Sequence, residues 1–131
     1  MITKASKRWR LPGLVSLMTV ICLGPIQPSQ AEQSGEEVFQ SLCAACHTIG
    51  EGKRVGPDLA GVTSRREESW LVRQIKEPDS LIAENDPIAM QLLQEANNVP
   101  MVRLGLTDAQ VSAVISYLQR IEQQAVVASG L

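Results

Sequence analysis

The sequence is short of the side chains that small proteins use most to hold themselves together or to do chemistry. It contains one histidine, three cysteines, two tryptophans, one tyrosine and one phenylalanine. With aromatics at 3% of 131 residues, a core built from side chains alone would lack bulk. A lone histidine excludes any pairing of two imidazoles within the chain. A closed zinc site needs four Cys or His ligands, and one of the three cysteines, Cys22, stands in a segment that reads as a leader. No alternating apolar and polar run of useful length occurs, so there is no case for a sheet, and no internal repeat appears. No basic stripe with interleaved aromatics is present, which excludes a nucleic-acid binder.

What is present is concentrated in Cys43-Ala44-Ala45-Cys46-His47. On a helix, residues three apart share a face, so two thiols can meet the two vinyl groups of a haem while the next residue offers its imidazole to the iron. Zinc is short of a ligand here, because outside the leader only Cys43, Cys46 and His47 are available. A thioredoxin-like dithiol needs a preceding strand and a βαβ setting, whereas the residues before Cys43 read as helix. The motif therefore implies one covalently attached haem c, whose iron takes His47 on one side. That cofactor would also supply the apolar bulk that the composition lacks.

The first thirty-one residues, 1–31, read as a secretory signal peptide. Lys4, Lys7, Arg8 and Arg10 form a basic start, Leu11 to Gly24 an apolar run, and Ser29 with Ala31 a small-x-small cleavage site. The apolar run falls short of the ~20 residues that span a bilayer, although an uncleaved anchor is the competing reading. Bulky Ile21 before Cys22 argues against a lipid-attachment cysteine. The leader holds four of the twelve basic residues and none of the fourteen acidic ones, so residues 32–131 carry eight against fourteen, a formal charge of −6. An anionic domain suits protein partners with basic or neutral docking patches. Outside the leader no cysteine remains beyond the motif pair, so no structural disulfide is available.

Residues 32–131 are expected to form one all-α domain. Ser34 and Glu37 make a capping box for a first helix of roughly ten residues that carries Val38, Phe39 and Leu42 into the motif. Glycines and Pro57 make Thr48 to Ala60 a loop with Lys53 and Arg54 at its tip, solvated charges that could border a docking surface. Ser64 to Lys76 reads as a second helix, capped by Ser64 with Glu67 three on, with Trp70, Leu71 and Ile75 as its stripe and Pro78 as its end. Asp86 and Pro87 open a third, bearing Ala89, Leu92, Leu93 and Ala96, which Asn97-Asn98-Val99-Pro100 stops. Thr107 and Gln110 cap a last helix with a stripe of Val111, Val114, Ile115, Leu118 and Ile121. The tail after about Gln123 is expected to fray.

With no second histidine, the sixth iron position needs another donor. Outside the leader the methionines are Met90, in mid-helix where methionine is usually core filler, and Met101, in an irregular loop free to turn its thioether to a metal. Met101 is the preferred axial ligand, with Met90 or an open position as alternatives.

The attachment motif, Gly56-Pro57-Asp58-Leu59, the loop methionine Met101 and a terminal helix carrying Val114 and Tyr117 together resemble a class I monohaem cytochrome c. The resemblance covers Gly35 to Arg120 and implies that family's fold, about four helices packed around one haem. It implies that Gly35 and Phe39 cross the terminal helix at Tyr117, that the Pro57 carbonyl accepts a hydrogen bond from the His47 ring, that Leu59 belongs to the haem environment, and that Trp70 reaches a haem propionate. The sequence departs from many bacterial relatives in placing Pro100 before Met101 and Val102 after it. The stretch from Asp86 to Leu106 is most similar to small cytochromes of bacterial copper-dependent respiratory systems. A cytochrome c′ is disfavoured, because its motif lies near the C-terminus of a four-helix bundle.

An iron with both axial positions filled leaves no room for substrate, so the expected function is one-electron transfer without turnover. The protein is expected to be a monomeric carrier in the bacterial periplasm, passing electrons between a membrane donor complex of the respiratory chain and a terminal oxidase or reductase. The alternatives are a haem enzyme or gas sensor with a labile sixth ligand, and a redox subunit tethered by an uncleaved leader.

Overall fold

A computed structural model describes residues 33–130; the expected leader, 1–31, lies outside the described residues. All regular elements among those residues are helical. The chain begins with the anticipated capping box: the Ser34 amide donates to the Glu37 carboxylate at 2.8 Å and the Glu37 amide donates to Ser34 Oγ at 3.2 Å. This starts α1, Gly35–Val38, which widens without a break into a π-helical turn, Phe39–Cys43. The Ala44 amide donates five residues back to the Phe39 carbonyl at 2.9 Å, the mark of that wider turn. Ser41 Oγ donates to the Glu37 carbonyl at 2.6 Å alongside it.

Two short helices were not expected: one splits the expected second helix in two, and the other follows directly from Pro78. Ser64 does not cap the second helix. Instead α2 runs Val62–Arg65, Arg66 is extended with φ −135° and ψ 141°, and α3 then runs Glu68–Lys76 from Glu67 as its first cap residue. The reason is tertiary: the Ser64 hydroxyl donates to the Glu122 carboxylate, as does Thr63 Oγ1 at 2.5 Å, which holds α2 against the last helix. Pro78 ends α3 as expected but also begins α4, Pro78–Ala83, where its missing N–H costs nothing at the first helical position. Pro78 and Leu81 of that helix are buried.

Asp86 caps α5, Pro87–Glu95, accepting from the Ile88 and Ala89 amides at 3.0 and 2.9 Å. Asn97 and Asn98 then take left-handed φ values of 55° and 61°, which terminates the helix as the sequence suggests. Thr107 and Gln110 form the second capping box and open α6, Asp108–Ala128. The frayed tail expected after about Gln123 is instead a continuation of α6 to Ala128, past the Glu122 hydrogen bonds. Its last side chains pack on nothing, with Val127 78% exposed.

The core lies where α1 crosses α6. A Cβ on Gly35 would fall 1.9 Å from the Ala113 carbonyl oxygen and 2.8 Å from Tyr117 Cβ, so only glycine permits this approach. Phe39 and Tyr117 meet one turn along, ring centroids 5.9 Å apart. Val38, Leu71, Leu106, Val111, Val114, Ile115 and Leu118 complete the buried cluster. The expected stripe of α6 is thus buried from Val111 to Leu118, with Ile121 at its edge. No helix among the described residues is long and apolar enough to cross a membrane.

Candidate haem site

The π turn delivers Cys43 at its last position, and a tight turn brings up the rest of the motif. The Cys46 and His47 amides both donate to the Cys43 carbonyl, at 3.0 and 2.9 Å. Both thiols are free, Cys43 half-buried and Cys46 exposed. Burial pushes the Cys43 thiol up from its ordinary range.

The His47 ring is held in a defined orientation. Its Nδ1 lies 2.9 Å from the Pro57 carbonyl oxygen. A carbonyl only accepts, so Nδ1 carries the proton and Nε2 keeps its lone pair for a metal. The contact implied for Pro57 is therefore present. Gly56 makes it sterically feasible: a Cβ there would lie 2.4 Å from His47 Cε1.

The loop that presents Pro57 is organised by Asp58, a role the sequence reading missed. Its carboxylate accepts from the amides of Gly50, Gly52 and Ala60 at 2.9, 2.6 and 2.7 Å, and from Thr48 Oγ1 at 2.9 Å. These donors, the Ala60 amide first, hold its carboxyl well below the usual carboxylate range. An aspartate amid glycines is a recognisable turn former, and that was the available signal. Leu59 is half-buried against the core, its amide donating to the Thr48 carbonyl at 2.8 Å. Arg54 at the loop tip donates to the Ala44 carbonyl at 2.7 Å, and Lys53 to the Glu95 carbonyl, so these charges brace the loop as well as meeting solvent.

Met101 is half-buried in the loop between α5 and α6, and Met90 is half-buried in mid-α5. The Met101 loop is tied down by Arg103, which donates to Asp79 at 2.7 and 3.0 Å and to Ser80 Oγ at 3.3 Å. Gln74 Nε2 stands 3.6 Å from Met101 Sδ, and Gln74 Oε1 is buried with no partner. The sequence reading passed over Gln74. Its signal was a polar residue four after Trp70 and three after Leu71, on the face α3 turns to the core. Trp70 donates its indole N–H to Asp86 Oδ1, the cap of α5, at 3.2 Å. The Arg66 guanidinium lies 5.9 Å from the Trp70 ring centroid.

Two free thiols on one turn, an imidazole with its Nε2 lone pair available and a glycine cradle beneath it fit a covalently attached haem. Among the described residues no group of three or more His, Cys, Asp or Glu side chains is placed to hold a bare metal ion.

Comparison with known proteins agrees. The family profile described as cytochrome c matches residues 32–122. The cytochrome c domain of a Pseudomonas putida protein is 45% identical, with 69% of this chain and 89% of that one covered at a TM-score of 0.62. A cytochrome c from Rhodothermus marinus is 30% identical, covering 77% of this chain and 91% of its own at a TM-score of 0.64. A cytochrome c-553-like protein of Synechocystis is 42% identical over 41 residues, 31% of this chain and 39% of that protein. The match thus spans about two fifths of the length of that curated relative.

Proposed function

The chain belongs to the cytochrome c family and binds haem c covalently through Cys43 and Cys46, and from that premise we propose that it is a one-electron carrier of the bacterial periplasm. Bound haem supplies a ferric/ferrous couple. His47 would hold the iron through Nε2, with Pro57 fixing its tautomer and raising its basicity. Met101 would supply a thioether as the second donor, and that donor favours the ferrous state relative to two nitrogen ligands. With His47 and Met101 both committed to the iron, the chain would exclude substrate from it and the exchange would be of electrons alone.

The observation that carries this reading is the His47 geometry: an imidazole whose Nδ1–H is committed to Pro57 has Nε2 as its one nitrogen for a metal, which suits a permanent ligand. Export is supported by the basic and apolar leader ahead of residue 32, and partners with basic docking patches by the −6 balance of residues 32–131. A membrane donor complex and a terminal oxidase or reductase are the partners such a carrier joins, through small transient interfaces. The test is spectroscopic. The oxidised holoprotein is expected to show a near-infrared methionine-to-iron charge-transfer band that disappears in Met101→Ala, together with a reversible one-electron titration. A wild-type protein lacking that band overturns the ligation, and one that turns over peroxide at an open iron overturns the carrier.

A further inference from the structure

The loop that follows the attachment motif lies along it in a constant register. The Arg54 guanidinium donates to the Ala44 carbonyl at 2.7 Å, and the Gly56 amide to the Cys46 carbonyl at 2.9 Å. The His47 ring donates to the Pro57 carbonyl at 2.9 Å, and the Thr48 hydroxyl to the Asp58 carboxylate at 2.9 Å. Each of these contacts joins a residue to the one ten positions later. Three of the four lie at or after Cys46. The first, at Ala44, is the one that reaches the helical end bearing Cys43, and a charged side chain makes it. Ala44 is the cap that closes the π turn, where carbonyls have no partner within the helix. A cation there also meets the negative end of the helix dipole. Fixing a long exposed arginine removes rotamer freedom, so the contact needs a reason. Lys53, its neighbour in sequence, turns the other way, to the Glu95 carbonyl at the end of α5. The direction Arg54 takes is therefore its own and not that of every cation at the loop tip.

We propose that Arg54 is a positioning residue for covalent haem attachment at Cys43. This goes beyond the carrier reading, because attachment through the cysteines holds whatever donor fills the iron's other side. Each thiol adds across a vinyl C=C: a C–S bond forms, the S–H bond breaks, its hydrogen passes to the neighbouring vinyl carbon, and nothing is oxidised or reduced. For both additions to reach one haem, Cys43 and Cys46 must keep a fixed relation to each other and to His47. Cys46 and His47 are fixed to the loop by the Gly56 amide and the Pro57 carbonyl. Cys43 belongs to the helical side, where the next amide, that of Ala44, donates back to Phe39. The Cys46 and His47 amides join the two sides from within, through the Cys43 carbonyl, and Arg54 joins them from outside. All of these contacts fall within a short stretch, so the register forms locally, without waiting for α6. Without the guanidinium, Cys46 keeps its alignment on the loop and Cys43 loses the tie that brings it into line.

The experiment uses the full chain, loaded in a bacterial host that attaches haem covalently. Purified protein is denatured and treated with iodoacetamide, which alkylates a free thiol and leaves a thioether alone, and peptide mass spectrometry reads Cys43 and Cys46 separately. The pyridine haemochrome spectrum is an independent measure, because an unreacted vinyl group stays conjugated to the ring and moves the band to longer wavelength. In Arg54→Leu, free Cys43 is expected to rise roughly fivefold over wild type, the scale of one modest hydrogen bond. Cys46 is expected to stay attached and the haemochrome band to shift. Lys53→Leu, which removes the neighbouring cation, is expected to match wild type at both cysteines. An arginine that only stabilises the fold predicts equal loss at Cys43 and Cys46, or loss at neither, and either result overturns the proposal. A Lys53→Leu form as defective at Cys43 as Arg54→Leu overturns it too. Arg54→Gln is the second variant, used if the leucine form yields no haem protein: loss confined to Cys43 supports the proposal, and equal loss or wild-type values overturn it. The near-infrared band of the same preparations reads Met101 alone, so failure of the ligand assignment and failure of the Arg54 proposal are told apart.

Discussion

At the scale of single residues, Asp58 shows how much a loop can depend on one carboxylate. Four donors converge on it from Thr48, Gly50, Gly52 and Ala60, and they favour its ionised form. Its folded pKa is depressed, so its contribution to stability is complete above the unfolded aspartate value of about 3.9 and is lost as pH falls toward the folded one. Asp58→Asn is expected to cost about 1–3 kcal/mol at neutral pH and to flatten the fall of the thermal midpoint in acid. Melting curves at pH values from about 6 to about 2 check this, and an unchanged acid slope in the variant assigns the effect to other carboxylates. Gly56 is the second such position. Its added Cβ would meet the His47 ring, so Gly56→Ala is expected to cost about 1–3 kcal/mol. By loosening the Nδ1–H contact to Pro57 it should also weaken the imidazole as a donor and raise the potential. Voltammetry of the holoprotein reads the sign.

At the scale of elements, the crossing of α1 and α6 is the contact with least tolerance. The obstacle to a Cβ at Gly35 is the Ala113 carbonyl, which is backbone inside a helix and cannot swing aside. Gly35→Ala is therefore expected to destabilise by about 3 kcal/mol or more, measured by denaturant unfolding at equilibrium. The far end of α6 behaves in the opposite way. Beyond Gln123 its side chains are exposed, Val126 at 48% and Val127 at 78%, and the Glu122 hydrogen bonds to Thr63 and Ser64 lie before that point. Removing residues after Gln123 is expected to change stability by less than about 1 kcal/mol. A larger loss would mean that the last turns pack on something.

At the scale of the molecule, the buried hydrophobic set among the described residues is eleven side chains, of which Phe39 and Tyr117 are the only aromatics, a small core for a domain to rest on. The protein with both motif cysteines changed to alanine, and so without attached haem, is expected to lose most of its helical circular dichroism at room temperature. Retention of the native signal would show that side chains alone suffice. The charge of residues 32–131, −6, is also a property of the whole surface. Electron transfer to a cationic partner is expected to slow as salt rises from about 0.01 to about 0.15 M, because the Debye length falls from about 30 to about 8 Å. Stopped-flow rates at constant pH test it.

What the sequence by itself determined is what local chemistry dictates. The attachment motif, both capping boxes, the Asp86 cap, the stripe of α6 and the asparagine stop after α5 depend on residues within a few positions of one another, and each is found where the spacing puts it. The crossing of Gly35 and Phe39 with Tyr117 and the Pro57 acceptor for His47 followed from the family resemblance. Only the tertiary structure decided the rest. Ser64 is a good cap in isolation, but Glu122, distant in sequence, takes its hydroxyl and splits the expected helix into α2 and α3. The same carboxylate holds α6 in place past its apolar stripe. Trp70 turned to Asp86 and Gln74 to Met101 because folding brings α3 beside the α5 cap and the methionine loop. A side chain's periodicity shows which face it lies on, but its hydrogen-bond partner across the fold is set by packing.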